Sequence, residues 1–420
     1  MTQKSTQTIA AMAQAARRAA RSLACSSGDA RRQALLAMPE VLRECWPQVQ
    51  EANALDLQDA RNAGLSAPLL KRLEISEAVF EYMLKRLGRV AALPDPVGRV
   101  LEGHTSADGL QVQKVSVPLG VVGMIYESRP NVTTDAAAVC LKSGNAVILR
   151  GGSESLRTNT VLADAMIDAV RTSGLPEAAI QSIRTSDRAA VGELLKQDQF
   201  IDVIIPRGGK PLIERIASDS RIPVIKHYEG ICHQYLAPDA SEEQAVAISV
   251  NSKCQRVEVC NAMETLLVDV ACAERLLPAL HQAFRDAGVE LRGCERTRAI
   301  LPEIAVAAEE DWTAEYLAPI LSVRVVDGVD QAIEHINRYG SGHTDGIVTE
   351  RLDLAERFTQ GVDSASVLVN ASTRLSGGGA YGLGAVVGIS TDRLHARGPV
   401  GPDELTSYKW IARGTGHLRT

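Results

Sequence analysis

Alanine and leucine recur every three to four residues over Thr8–Leu23, Ala30–Glu44 and Ala67–Leu87, which predicts amphipathic helices. Leu110–Val117 then alternates as Leu-Gln-Val-Gln-Lys-Val-Ser-Val, the pattern of a half-exposed strand, and Pro118 and Gly120 end it. Val121–Tyr126 is a continuous apolar run, as expected of a strand buried on both faces. Further on, strands and helices alternate. Ala146–Leu149, Ile201–Ile205 and Pro223–Ile225 read as strands, and Leu156–Arg171, Lys210–Ser218 and Glu242–Asn251 as helices. A second series follows, with strands Thr265–Val268, Leu321–Val326, Gly346–Val348 and Ser366–Asn370 and helices Cys272–Asp286, Asp330–Asn337 and Leu352–Thr359. Two successive βα series predict an α/β chain with two doubly wound domains. The stretch Gly377–Thr420, rich in glycine and basic residues, shows little helical period.

The length of 420 residues suits two or three domains. A net charge of −6 and an aromatic content of 4% leave little for nucleic acid to bind, and no apolar run is long enough for a membrane span. The eight cysteines contain no CxxC pair and match no zinc ribbon, so they read as reduced thiols in the cytoplasm, with no metal expected. Arg17, Arg18 and Arg21, with no acid before Asp29, have the composition of a transit peptide. The helical pattern resumes at Asp29, which favours a first helix packed on the domain.

Four stretches are candidates for chemistry. Gly377, Gly379 and Gly382 form a GxGxxG string, but no helical pattern follows, so a loop is expected rather than a dinucleotide fingerprint. Arg150-Gly151-Gly152-Ser153 and Pro206-Arg207-Gly208-Gly209-Lys210 each follow a buried strand. Glycines there let backbone N–H groups approach an anion, and the basic side chains add charge; the plainer reading is an ordinary βα turn. Cys260 precedes the strand that opens the second series, at the seam of the two domains, where a thiolate could form a thioester. A structural thiol is the plainer reading, and no base flanks Cys260 in the sequence.

Taken together, these strings resemble the gamma-glutamyl phosphate reductases of the aldehyde dehydrogenase superfamily, from about Ala30 to Trp410. The motifs are Val117–Thr133, Leu141–Gly152, Ile205–Gly209, Val259–Ala262 with Glu264–Val268, and His395–Pro399 with Tyr408–Trp410. The resemblance implies an aldehyde-dehydrogenase-like fold. It divides the chain into a cofactor-binding domain (1–107, 119–248 and 375–394), a catalytic domain (249–374) and a small β oligomerisation element (108–118 with 395–420). It further implies NADPH-dependent reduction of L-glutamate 5-phosphate to glutamate 5-semialdehyde in proline biosynthesis.

Carried over residue by residue, Cys260 matches the nucleophile and Asn131 the amide that donates to the oxyanion. Arg150 sits where the superfamily has a lysine reaching the adenosine ribose, with Gly151, Gly152 and Ser153 beside it expected to bind cofactor, and Arg207, Gly208 and Gly209 match the pyrophosphate turn. Glu315 matches the holder of the nicotinamide ribose. Arg129, Arg374, Val386, His395 and Arg397 are expected near the substrate. Oxidising members carry a glutamate for hydrolytic water; in this chain His227 takes that position, unless a shift of two restores Glu229. Two departures stand out: Val257-Glu258 precedes the nucleophile where the family has proline and a small residue, and Val386 replaces a glutamate. A homo-oligomer and a transient complex with glutamate 5-kinase are the expected partners. Competing readings are a relaxed reductase that also takes N-acetylglutamyl phosphate, an oxidising aldehyde dehydrogenase, and a non-catalytic scaffold. Intact Cys260, Asn131 and Glu315 speak against the last.

Overall fold

The structure, a computed structural model, describes residues 8–419; the first seven residues of the arginine-rich stretch discussed above lie outside it. Contacts divide the chain into two units. One comprises the residues up to Lys226 with 382–389 and 399–420, the other 227–381 with 390–398. Residues 227–248, expected in the cofactor domain, therefore fold with the second unit, as do 375–381 and 390–394.

The first unit begins with helices α1 (Ile9–Ala24), α2 (Gly28–Glu44), α3 (Trp46–Asn62), α4 (Ala67–Leu73) and α5 (Glu77–Ala92). Thr8 caps α1 by accepting from the Ala11 N–H at 3.2 Å, and α1 buries Ala13, Ala16, Ala20 and Leu23. The single helix expected over Ala67–Leu87 is two, because Ser76 starts α5 afresh by accepting from the Val79 N–H at 3.4 Å. Helix α3 lies within the first ~90 residues, which read as helical, and its buried side includes Asn53 and Asp56; Asp56 accepts from the Thr158 N–H and hydroxyl at 2.8 and 2.7 Å.

The chain continues through β1 (Val100–Thr105), β2 (Gln111–Pro118), β3 (Val121–Tyr126), α6 (Asn131–Lys142), β4 (Ala146–Arg150), α7 (Leu156–Thr172), β5 (Ile180–Ser182), α8 (Ala189–Leu194), β6 (Val203–Arg207) and α9 (Lys210–Asp219). Strands β5-β4-β3-β6 form a parallel sheet in that order, with β3 buried throughout. The order reverses at β3: β4 and β5 build outward on one side and β6 is added on the other. Pro223–Ile225, expected as a strand, makes only a bridge between Ile204 and Val224.

In the second unit come β7 (Cys232–Leu236), α10 (Glu242–Cys254), β8 (Met263–Asp269), α11 (Val270–Asp286), β9 (Glu290–Gly293), α12 (Glu295–Ile300), β10 (Ala305–Val306), β11 (Ile320–Val326), α13 (Gly328–Tyr339), β12 (Thr344–Val348), α14 (Leu352–Gly361) and β13 (Ser366–Val369). Its parallel sheet runs β10-β9-β11-β8-β7-β12-β13. Successive residues of β8 serve opposite faces. Leu266 and Val268 pack with Leu276, Leu280 and Phe284, while Leu267 packs with Ile333, Ile336 and Phe358. The expected GxGxxG loop opens no helix.

Short strands β14 (Gly388–Ser390) and β15 (Gly398–Val400) pair, and β16 (Thr406–Arg413) returns to β2. β1-β2-β16 is an antiparallel sheet, so the expected small element includes Val100–Thr105 as well. Val100, Leu101, Tyr408 and Trp410 on it are exposed. Among the described residues no helix is long and apolar enough to cross a membrane.

One buried group gives the second unit a pH dependence. Arg324 Nη1 donates to His335 Nδ1 at 3.1 Å, and burial, with His233 and Arg324 close by, holds His335 far below the usual imidazole value, at about 2. The unfolded side chain titrates near ~6.5. Below that pH the unfolded chain takes up a proton that the folded chain refuses, so stability falls as pH drops from ~7 towards 5, by up to about 1.4 kcal/mol per pH unit. In urea unfolding across this window, His335→Phe should flatten the decline. An unchanged slope would assign the decline to another group.

Candidate active site

Cys260 lies half-buried in the loop between α10 and β8, at the amino edge of the seven-stranded sheet. The loop is pinned from several sides. Asn261 Nδ2 donates to the Ser376 carbonyl at 2.8 Å, and the Cys232 thiol donates to the Cys260 carbonyl at 3.2 Å. Gly230 lies against the Cys260 backbone so closely that a Cβ there would overlap the Cys260 carbonyl oxygen. Burial, with Asp345 and Cys260 adding to it, pushes the Cys232 thiol well up, which keeps it protonated for this donation.

The sheet then gathers other side chains at the same edge. His227 precedes β7 and His343 precedes β12, and their ligating nitrogens and the Cys260 Sγ all lie within 4.8 Å of one another. The fold thus brings two imidazoles to a thiol that has no base beside it in sequence. Arg374 is half-buried; burial lowers its pKa while the nearby Cys260 sulfur opposes that shift, and its Nε donates to Gln255 at 3.0 Å. Glu258 faces Arg256 at 3.8 Å.

Glu315 accepts from the Gly230 N–H at 2.9 Å. Its loop is backed by a buried pair, Lys253 Nζ and Glu264 Oε2 at 2.5 Å. Burial pushes Glu264 up and Lys253 down, each opposed by the other's charge. Glu264 Oε1 also accepts from the Leu317 N–H at 3.3 Å.

In the first unit the two glycine turns lie at the carboxyl ends of β4 and β6, flanking β3, where the strand order reverses. Open α/β sheets bind ligands at such switch points. The Gly209 N–H, at the start of α9, donates to Glu127 Oε2 at 3.0 Å, so a carboxylate occupies the expected pyrophosphate turn. Arg150 Nη1 donates to the Gly151 carbonyl at 3.1 Å, while its buried Nε has no hydrogen-bond partner among the described residues. Burial lowers the Arg150 pKa, and neighbouring Glu154 opposes that. Glu154 in turn accepts from the Ser128 N–H and hydroxyl at 2.5 and 2.7 Å, holding Ser128 at a φ of 38°. Asn131 opens α6 and donates to Asp135 Oδ2 at 3.1 Å; Arg86 Nε lies 3.1 Å from the other Asp135 oxygen.

The remaining expected residues are spread over both units. Arg129 is half-buried on the turn before α6, and Val386 is half-buried in 382–389. His395 is exposed with a φ of 69°. Arg397 is held by Asp363, donating to its carboxylate at 2.9 Å and its carbonyl at 3.0 Å. Glu127, Asp135 and His343 were not picked out from sequence. Glu127 lies within the string Val117–Thr133 and Asp135 just after it, but no spacing signals their bonds.

The aldehyde dehydrogenase family model matches residues 1–297 and 305–384. The gamma-glutamyl phosphate reductase of Thermotoga maritima is 40% identical with a TM-score of 0.95, over 98% of this chain and 100% of that one. The gamma-glutamyl phosphate reductase of Saccharomyces cerevisiae is 34% identical with a TM-score of 0.54, over 97% and 98%. An acetylating aldehyde dehydrogenase from Geobacillus thermoglucosidasius, 20% identical with a TM-score of 0.71 over 98% and 97%, shares the fold.

Glu127 and a bound pyrophosphate would compete for the Gly209 N–H. Glu127→Gln keeps an acceptor but removes the charge, so cofactor affinity should rise about two- to five-fold, as expected for a charge at a helix N-terminus. Fluorescence titration with the reduced dinucleotide reads this directly; equal or weaker binding would mean that the carboxylate does not compete.

Proposed function

The chain belongs to the aldehyde dehydrogenase family, and we propose that it reduces L-glutamate 5-phosphate to L-glutamate 5-semialdehyde and phosphate, as a step towards proline, through a thioester on Cys260. The observation that carries this reading is the meeting of the Cys260 thiol with His227, His343 and Arg374 at one sheet edge. A thiol, a base and a cation are what acyl transfer from a phosphate needs. The family uses nicotinamide dinucleotides, and we take NADPH as the one used. The unmatched Arg150 Nε and the anion-holding Gly209 N–H fit an anionic dinucleotide. Arg150, Gly151, Gly152, Ser153, Arg207 and Gly208 would join Gly209 in holding it, and Glu315 would take the nicotinamide ribose. Once bound, it supplies the hydride.

In this reading an imidazole beside Cys260 takes the thiol proton, and Sγ attacks the acyl carbon. Asn131, its amide already aligned by Asp135, and a backbone N–H donate to the tetrahedral oxyanion. Arg374 offsets the charge of the departing phosphate, the thioester is reduced, and the thiohemiacetal returns its proton as the aldehyde leaves. No step needs water. A histidine where hydrolytic members have glutamate favours this reading over an aldehyde oxidase. We further propose that the β1-β2-β16 sheet, with Tyr408 and Trp410 exposed, mediates homo-oligomer formation. All eight cysteines are thiols, which fits a cytoplasmic setting. A transient complex with glutamate 5-kinase would protect the labile acyl phosphate.

The test is oxidation of glutamate semialdehyde followed by nicotinamide absorbance. Turnover should require inorganic phosphate; equal rates without it would favour the oxidase. Cys260→Ser should keep its fold and cofactor binding but retain less than a few per cent of the rate, since a hydroxyl is far less acidic than a thiol. A higher residual rate would rule out covalent catalysis at Cys260.

Arg150 separates the two dinucleotides. A 2′-phosphate beside its guanidinium forms a charge-assisted contact that NADH lacks. Arg150→Ala should therefore weaken NADPH more than NADH, by about ten-fold for a contact of ~1.5 kcal/mol. Equal loss for both would assign Arg150 to the shared part of the cofactor.

A further inference from the structure

Three soft or borderline donors meet at the amino edge of the second unit's sheet. His227 leads into β7, Cys260 into β8 and His343 into β12, and their donor atoms lie within 4.8 Å of one another. The two imidazole rings stand 5.5 Å apart, centre to centre, at 64°. Two imidazoles bound at ~2.0–2.1 Å to one tetrahedral ion bring their ring centres to about 5 Å, so this pair is near coordinating geometry already. A thiolate in the same shell sits about 3.5 Å from each nitrogen, which asks about 1 Å of closure. The His343 ring is oriented from behind: its Nδ1 is 2.8 Å from Thr344 Oγ1, and that hydroxyl donates to Ser376 Oγ at 2.9 Å. Ligating imidazoles are commonly held in this way through the other nitrogen.

We propose that Cys260, His227 and His343 form a reversible site for a zinc-class divalent cation, and that the bound ion caps the thiol. One thiolate and two imidazoles suit a borderline-soft ion; with no carboxylate in the trio, magnesium and calcium are disfavoured. With His343 Nδ1 engaged by Thr344, Nε2 is the coordinating nitrogen. Binding replaces the S–H bond with an S–Zn bond and releases one proton to solvent, with no change of oxidation state. A fourth position is filled by water. The ion withdraws the sulfur and both imidazoles at once, so it shuts off acyl transfer and shields the thiol from alkylation or oxidation until a chelator removes it.

The full chain, reduced and stripped of metal, is titrated with zinc against a chromophoric chelator, and with cobalt as a spectroscopic probe. One ion per chain should bind, with a sulfur-to-cobalt charge-transfer band that Cys260→Ser abolishes. His227→Ala and His343→Ala should each weaken zinc by more than about ten-fold, and Thr344→Val by about ten-fold. Zinc, but not magnesium, should slow iodoacetamide labelling of Cys260 in proportion to occupancy. Zinc affinity unchanged in both histidine variants, or labelling unaffected by saturating zinc, would overturn the site. If His343→Ala fails to fold, the half-buried His227 decides the matter. The readouts are metal and label, so the result is independent of whether the acyl-phosphate reading holds.

Discussion

Where the Gly230 backbone meets the Cys260 carbonyl, there is no room for a side chain. That approach draws three segments together. It fixes the Cys260 loop against the sheet, and it carries His227, three residues upstream, to the same edge. It also turns the Gly230 N–H outward to Glu315. The Cys232 thiol fastens the same carbonyl from within the strand that follows. The register of β7 against β8 slips between Cys232 and His233, which lets β7 start under the loop while the rest pairs regularly. Below the slip, Asp345 accepts from the His233 N–H and lies 2.8 Å from its Nδ1, with Ser364 on the other oxygen, while His233 Nε2 and the Gln234 amide are buried with no hydrogen-bond partner among the described residues.

The two sheets offer opposite edges for chemistry. In the first, strands run towards turns that open helices, and the free N–H groups at those turns favour anions; the Glu127 carboxylate at Gly209 already uses one. In the second, Cys260 sits at the amino edge, beyond the carboxyl end of α10. A helix end of that polarity repels an anionic sulfur. Compensating charge has to come from side chains, and Arg374, which interacts electrostatically with Cys260, offers it.

How much of this was readable in advance depended on whether a signal was local. The continuous apolar run Val121–Tyr126 announced β3, and the alternation of Leu110–Val117 announced β2, because burial follows pattern there. Strand β7 gave no such signal: Cys-His-Gln-Tyr-Leu is polar at its centre, yet His233 and Gln234 are fully buried. The division by contacts falls at Lys226, where the resemblance implied residue 248. The glycine turns and Cys260 were legible because each chemistry lies in one short string. His343 was not, since only the pairing of β12 beside β7 brings it to Cys260, and no spacing along the chain encodes that neighbour. Glu127 was hidden for a related reason: its partner Gly209 comes from the next strand across.

The charge balance at the sulfur bears on why a histidine suits this position. A carboxylate beside Cys260 would oppose both an anionic sulfur and a departing phosphate. The acidic groups near the loop are instead held by donors: Glu258 faces Arg256, and Glu315 is bonded to the Gly230 N–H. Imidazoles take a proton without first carrying negative charge, and Arg374 adds a permanent cation. In the proposed reaction the same surround would serve both the attack and the loss of phosphate. Water gains nothing from it: hydrolysis of a thioester needs a base aimed at a water molecule, whereas reduction needs the acyl group to stay on sulfur until hydride arrives. A site that stabilises anions without a carboxylate base is thus biased towards reduction.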